Sequence, residues 1–153
     1  MTNLHNLFKF VQSKHPEYSV PLKYKLLYDP NSIEEEDLIV KGSLNLKDTP
    51  ITSLPNNLKV GGHLSLSNTK ITSLPNNLKV GGNLYLINTP ITSLPNNLQV
   101  GGYLSLRNTP ITSIPNNLKV GGHLSLSNTP ISEKYTEKEI KKMAPGVKGD
   151  IHL

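Results

Sequence analysis

Cysteine and tryptophan are absent from this sequence, and phenylalanine occurs only twice. Without cysteine there is no disulfide, no thiol nucleophile and no thiolate zinc site, a composition that suits a reducing, cytoplasmic setting. Large aromatics ordinarily supply much of a core's buried area, so the core of this 153-residue chain must come from aliphatic side chains in number. No apolar run approaches the roughly 20 residues of a membrane span. The opening stretch from Met1 to Val11 carries Lys9 inside its apolar segment and lacks a small-residue cleavage site, a poor match to a signal peptide. Acid is missing as well. Between Leu58 and Ser132 there is no Asp or Glu, only Lys59, Lys70, Lys79, Arg107 and Lys119. The acids lie in the flanks, at Glu34, Glu35, Glu36 and Asp37 and at Glu133, Glu137 and Glu139, and the net charge is +5.

These absences bear on chemistry. Acid–base hydrolysis wants paired carboxylates, and the middle of the chain has none to offer. No G-x-S-x-G elbow gathers the many serines. His63 and His123 stand three repeats apart, about 14 Å at roughly 4.8 Å per coil, while His123 and His152 fall on neighbouring coils without a third ligand. The sequence therefore reads as a non-enzyme, with no cofactor and no metal.

What is present in quantity is a repeat. The block LKVGGHLSLSNTKITSLPNN, from Leu58 to Asn77, recurs with few changes from Leu78 and from Leu98. A looser copy begins at Leu38, and another runs from Leu118 as far as Ile131, giving a period of 20 residues. Within a unit, Leu58, Val60, Gly62, Leu64 and Leu66 alternate as in an extended segment with one buried face. Ile71 to Pro75 then changes to a spacing of three, and Pro75 removes a backbone donor, so that part is no central strand. Each unit is one strand with an irregular return path, and only stacked neighbours can bury its apolar face. Stacking superposes Thr49, Thr69, Thr89, Thr109 and Thr129, and likewise Asn68, Asn88, Asn108 and Asn128. These columns are expected to hydrogen-bond turn backbone. The pairs Gly61-Gly62, Gly81-Gly82, Gly101-Gly102 and Gly121-Gly122 mark a bend or a close approach of backbone.

The pattern LxLxxTxIxxLPxxLxV, from about Leu38 to Ile131, resembles the 20-residue class of bacterial leucine-rich repeats found in secreted effectors, and more closely the short repeat proteins of tailed bacteriophages. Leu64 and Leu66 match the family's strand leucines and Ile71 the leucine after the turn. Thr69 stands where the family usually has Asn, and Gly61 where it has its first Leu. The resemblance implies a right-handed leucine-rich-repeat solenoid of about five coils, with one parallel sheet, one strand per coil and an irregular convex side. It also implies a protein-binding role, with inhibition of a host defence protein as the biological setting. Some effectors of this class carry a cysteine-dependent ubiquitin-ligase domain, which this cysteine-free chain lacks the residues to supply.

Residues 1–37 are expected to form a helical N-terminal cap, 38–131 the repeat array, and 132–153 a C-terminal cap. Asn3 to Lys14 reads as an amphipathic helix with Leu4, Leu7, Phe8 and Val11 on the face that plugs the first coil, ended by His15-Pro16. Val20 to Tyr28 completes that cap, and Asn31 or Ser32 starts a short acidic turn. Tyr135 to Met143 reads as a helix carrying Ile140 and Met143 inward, broken by Pro145-Gly146. Val147 to Leu153 repeats the pattern of Val40 to Leu46 and forms a sixth strand. Its open edge, with Lys148, Asp150 and His152, either discourages pairing or joins a second copy in a homodimer.

Side chains between the strand leucines point out of the sheet, the face leucine-rich-repeat proteins use for recognition. Tyr85, Ile87, Tyr103 and Arg107 cluster there on neighbouring coils, flanked by Asn83, His63 and His123. Tyr and Arg are enriched in binding hot spots, and an exposed Ile87 beside two Tyr makes a small apolar patch with a polar rim. The competing reading is a solvated face that varies neutrally. The partner expected is another protein, not a membrane. Nucleic acid is the second class, disfavoured because Arg107, Lys70 and the lysines before the glycine pairs belong to different faces. Sequestration of a small ligand by an oligomer is a third.

Overall fold

The computed structural model describes residues 4–153 and shows a solenoid of parallel strands with helices at both ends. Four successive steps of 20 residues register the turns, Ile39 on Lys59, Lys59 on Lys79, Lys79 on Gln99 and Gln99 on Lys119. A fifth, partial turn is closed by the C-terminal helices.

The alternating stretch expected as one strand per coil is two short strands in every coil. The first sheet contains β1 (Ile39–Val40), β3 (Lys59–Val60), β5 (Lys79–Val80), β7 (Gln99–Val100) and β9 (Lys119–Val120). The second contains β2 (Leu44–Asn45), β4 (Leu64–Ser65), β6 (Leu84–Tyr85), β8 (Leu104–Ser105), β10 (Leu124–Ser125) and β11 (Ile151–His152). The glycine pair separates them because the hydrogen bonding reverses direction there. Before the bend an amide donates to the coil behind it, as Gly101 does to the Val80 carbonyl at 2.8 Å; after it, Leu84 donates forward to the Tyr103 carbonyl at 2.8 Å.

None of the glycines has a positive φ. Their requirement is space: a Cβ on Gly81, Gly101 or Gly121 would collide with the carbonyl of the glycine one coil earlier. Gly42, in the first coil, would meet nothing within 4 Å. The left-handed positions belong to asparagines and to Asp48 in the first coil, with φ of 58° at Asp48, 59° at Asn68, 56° at Asn88, 57° at Asn108 and 58° at Asn128, a conformation that Asn and Asp tolerate better than most residues. Their side chains stack in the expected column but bond to one another rather than to turn backbone. Asn68 donates to Asp48, Asn88 to Asn68, Asn108 to Asn88 and Asn128 to Asn108 at 2.6, 2.7, 2.7 and 2.9 Å. The threonine column closes the same turns, each Oγ1 donating to the carbonyl three residues back, for example Thr89 to Leu86 at 2.7 Å. Inside lie the aliphatic ladders, with Leu64, Leu84, Leu104 and Leu124 all fully buried.

The N-terminal cap departs from expectation. Helix α1 (Leu4–Lys14) buries no residue, and Leu4, Leu7, Phe10 and Val11 are exposed; Asn3, where the helix was expected to start, lies outside the described residues. The first coil is covered instead by α2 (Leu22–Tyr28), whose Leu22 joins the core with Leu26 and Ile33 packed against it. Proximity to the core decides this: α2 and the segment after it place Leu22, Leu26 and Ile33 on the core, whereas α1 is held by the His5–Asp29 contact of 2.6 Å. A buried ion pair, Lys25 to Asp37 at 2.7 Å, ties α2 to the acidic turn. A cleft of about 560 Å³ remains between this cap and the first coil, lined by Leu26, Ile33, Ile51 and Leu54.

At the other end the helix expected over Tyr135 to Met143 forms as α4 (Glu137–Met143), and a further short helix that the sequence did not announce, α3 (Pro130–Lys134), precedes it; Thr129 and Thr136 cap the two helix starts. Ile140 is buried and Met143 partly so, as the sequence predicts. The expected sixth strand forms β11, paired with β10, after a final turn in which Leu124 and Ile151 lie 27 residues apart. Lys141 finishes the stack. In the preceding coils the Val and second-Gly carbonyls accept amides from the next coil, down to Lys148 on Val120 and Gly149 on Gly122, both at 2.9 Å. At Val147 and Gly149 these carbonyls accept from the Lys141 ammonium, at 2.6 and 2.7 Å.

Candidate functional site

On the second sheet the outward side chains stand in three rows. Ser43, His63, Asn83, Tyr103, His123 and Asp150 follow the glycine pairs; Asn45, Ser65, Tyr85, Ser105, Ser125 and His152 lie mid-strand; Lys47, Ser67, Ile87, Arg107 and Ser127 come last. The in-register pairing of Ser65 with Tyr85 and of Tyr85 with Ser105 fixes which of these are neighbours.

The first row has a task set by the bend. Because the ladder reverses at the glycine pair, the residue that follows it turns its amide to the preceding coil, where a side chain accepts it. His63 donates to Ser43 Oγ, Asn83 to His63 Nδ1 and Tyr103 to Asn83 Oδ1, each at 2.9 Å. Asp150 donates in the same way to His123 Nδ1 at 2.9 Å. In both histidines the ring proton therefore sits on Nε2. Three expected site residues, His63, Asn83 and His123, thus spend a polar atom on the scaffold.

Tyr103 interrupts the row. It carries a ring where its neighbours carry an acceptor, and it contributes no such bond among the described residues. Its ring lies against Tyr85 of the coil before, with centroids 6.1 Å apart and planes inclined at 60°. Asn83 Nδ2 donates to Tyr85 Oη at 2.8 Å and so fixes that ring. Tyr85, Tyr103 and Ile87 are half-buried and Arg107 is exposed, in no ion pair among the described residues. Ser105, which lies between the two tyrosines and Arg107, is 0% exposed, and its Oγ has no hydrogen-bond partner. The sequence did not single it out: serine also occupies this row at Ser65 and Ser125, so nothing in residue type marks it.

Arg107 and Ile87 share one row, one coil apart, so Tyr85, Ile87, Tyr103 and Arg107 do form one contiguous patch. The edge residues fall elsewhere. Lys148, Asp150 and His152 are exposed at the C-terminal end of the stack. His123 and His152 approach to 5.4 Å between ring centroids, and Asp150 Oδ2 lies 3.4 Å from His123 Nδ1. Among the described residues no three His, Asp or Glu side chains converge to hold a metal ion, and no helix is long and apolar enough to cross a membrane. With two carbonyls of this end held by Lys141, the strand edge left for pairing is the short span from Ile151 to Leu153.

The cations divide between faces. Lys59, Lys79 and Lys119 stack in one row of the first sheet, Arg107 stands on the second, and Lys70 lies on the return path. No protein-family model matches this sequence, and no curated protein or solved structure matches it.

Proposed function

We propose that this protein is a non-enzymatic docking module, which holds another protein against the outward face of its second sheet, centred on Tyr85, Ile87, Tyr103 and Arg107. The observation that carries this reading is Tyr103. Along its row the side chains serve the backbone of the next coil, and a residue that gives up such a service is expected where function overrides the local rule. What replaces the service is a tyrosine paired with a second tyrosine, beside an isoleucine and an unpaired arginine. Aromatic rings with a guanidinium nearby are the composition of interface hot spots, and tyrosine rings present a large apolar area at little entropic cost.

The resemblance to bacteriophage leucine-rich repeats makes a protein of the bacterial host, including its defence proteins, the partner class to test first, and places the encounter in the bacterial cytoplasm. That step rests on analogy. The test is site-specific photocrosslinking in host lysate, with benzoylphenylalanine in place of Arg107 on the sheet face or of Thr112 on the exposed return path. A discrete adduct is expected from position 107 alone. Equal labelling from both positions, or labelling from 112 only, rejects this face as the docking surface.

A further inference from the structure

The first sheet presents a face that the tyrosine patch does not explain. Its outward row reads Ile39, Lys59, Lys79, Gln99 and Lys119 in register. The next row reads Lys41, Gly61, Gly81, Gly101, Gly121 and Lys148, since each glycine packs on the residue one coil earlier and Lys148 takes the place of the next in the ladder to Val120. The glycines cannot carry side chains, because a Cβ there would strike the neighbouring coil. The result is a trough of bare backbone walled along one side by three lysines and closed at its ends by two more. Towards its C-terminal end it opens into a groove of about 650 Å³, lined by Lys79, Gln99, Lys119 and Lys148.

Four lysines elsewhere in the chain have a partner. Lys25 is paired with Asp37, Lys47 lies 3.8 Å from Asp48, Lys134 sits over the Tyr135 ring and Lys141 holds two carbonyls. Lys41, Lys59, Lys79, Lys119 and Lys148 are all exposed, and none has an ion pair or a side-chain hydrogen bond among the described residues. The repeated middle of the chain contributes no acid to offset them. Lys59 and Lys79 lie on adjacent coils with Lys119 two coils further along the same row; unpaired like charges so aligned repel, and an anionic partner relieves that repulsion.

We infer that the trough receives an extended, acidic segment of the protein that docks on the tyrosine patch, an inference that rests on the docking reading for the partner's class. From Lys41 to Lys148 the trough crosses five coil steps, about 24 Å at roughly 4.8 Å per step, the length of about seven or eight extended residues. It runs beside the patch, since Gly101 and Tyr103 are separated by Gly102 alone. A single protein ligand can therefore place apolar side chains on Tyr85 and Tyr103 and lay a neighbouring acidic strand between the lysines. A nucleic-acid strand fits less well, because neither row of the trough contains an aromatic ring on which a base would stack.

The experiment uses fluorescence anisotropy at low ionic strength with a labelled peptide of about eight glutamates, the length that spans the trough. The wild-type chain is expected to bind it. The Lys59→Gln/Lys79→Gln/Lys119→Gln variant, whose changes are all at exposed positions, is expected to bind roughly tenfold more weakly, the sum of three surface charge contacts. Tyr85→Ala/Tyr103→Ala should leave the peptide affinity unchanged. Peptide binding indifferent to the three lysines overturns the inference, as does binding of a labelled oligothymidine in preference to the peptide. Lysine-dependent peptide binding combined with failure of the crosslink at position 107 keeps the trough and removes the patch, so the two readings fail separately.

Discussion

Replacing Gly101 by alanine places a methyl group 2.9 Å from the Gly81 carbonyl carbon and in collision with its oxygen. Both atoms are backbone, so relief requires the coils to part. Two hydrogen bonds hold them at that point, Gly101 to Val80 at 2.8 Å and Gly102 to Gly82 at 2.9 Å. Straining both, at about 0.5–1.5 kcal/mol each, and displacing packed leucines above and below, at about 1–3 kcal/mol, amounts to about 3 kcal/mol. For a chain of this size that lowers the thermal midpoint by about 6–12 °C. The same change at Gly42 meets open space and a φ that alanine accepts. It is expected to stabilise the fold by about 0.4–1 kcal/mol, because alanine has less conformational freedom to lose on folding. Thermal unfolding followed by circular dichroism measures both. Equal losses at the two positions would refute the reasoning, since glycine would then serve the bend itself rather than the contact between coils.

Other perturbations are equally open to test. Asn88→Ala removes a side chain that donates to Asn68 and accepts from Asn108 and leaves alanine at φ 56°; a loss of about 2 kcal/mol in urea unfolding is expected, with roughly half recovered in Asn88→Gly. Glu139 accepts hydrogen bonds from the Thr136 amide and hydroxyl, which hold its carboxyl below the ordinary carboxylate range. The favoured form is the ionised one, so its contribution is present above the unfolded-state value and is lost as pH falls through the folded value. Protection of the Thr136 amide from exchange, taken relative to its intrinsic rate at each pH, should fall in acid below the ordinary range, and a flat profile there would contradict the capping role. Lys141→Met frees the Val147 and Gly149 carbonyls; light scattering should then show concentration-dependent association that Lys141→Arg does not, and a strictly monomeric Lys141→Met variant would show that the ammonium does not guard this end.

Much of the fold was legible because each coil repeats its own instructions. The spacing of Leu58, Val60, Leu64 and Leu66, the proline at Pro75 and the period of 20 residues leave stacking as the only way to bury the leucines, and the threonine and asparagine columns follow from the stacking. The split into two sheets was not legible. It depends on the sense of the hydrogen bonds on either side of Gly101-Gly102, and residue type carries no record of that sense. The failure of α1 to plug the first coil has a similar origin: amphipathic periodicity shows that Leu4, Leu7 and Val11 share a face, not that the face reaches the core ahead of Leu22. The patch of Tyr85, Ile87, Tyr103 and Arg107 was visible as variation within an invariant frame. The scaffold duties of His63, Asn83 and His123 were not, since they arise from amides stranded at the bend. Lys41 and Lys148 likewise lie more than a hundred residues apart, and only the register of the coils brings them to the ends of one trough.

The role assigned to the tyrosine pair stands or falls with the affinity of the crosslinked partner, once purified, for the wild-type chain, Tyr103→Ala and Ser127→Ala, measured by calorimetry. A hot-spot tyrosine contributes about 2 kcal/mol or more, close to thirtyfold in Kd. Tyr103→Ala should weaken binding at least that much while Ser127→Ala, in the outermost row two coils from Ile87, changes it little. An unaltered Kd for Tyr103→Ala would contradict docking at this face.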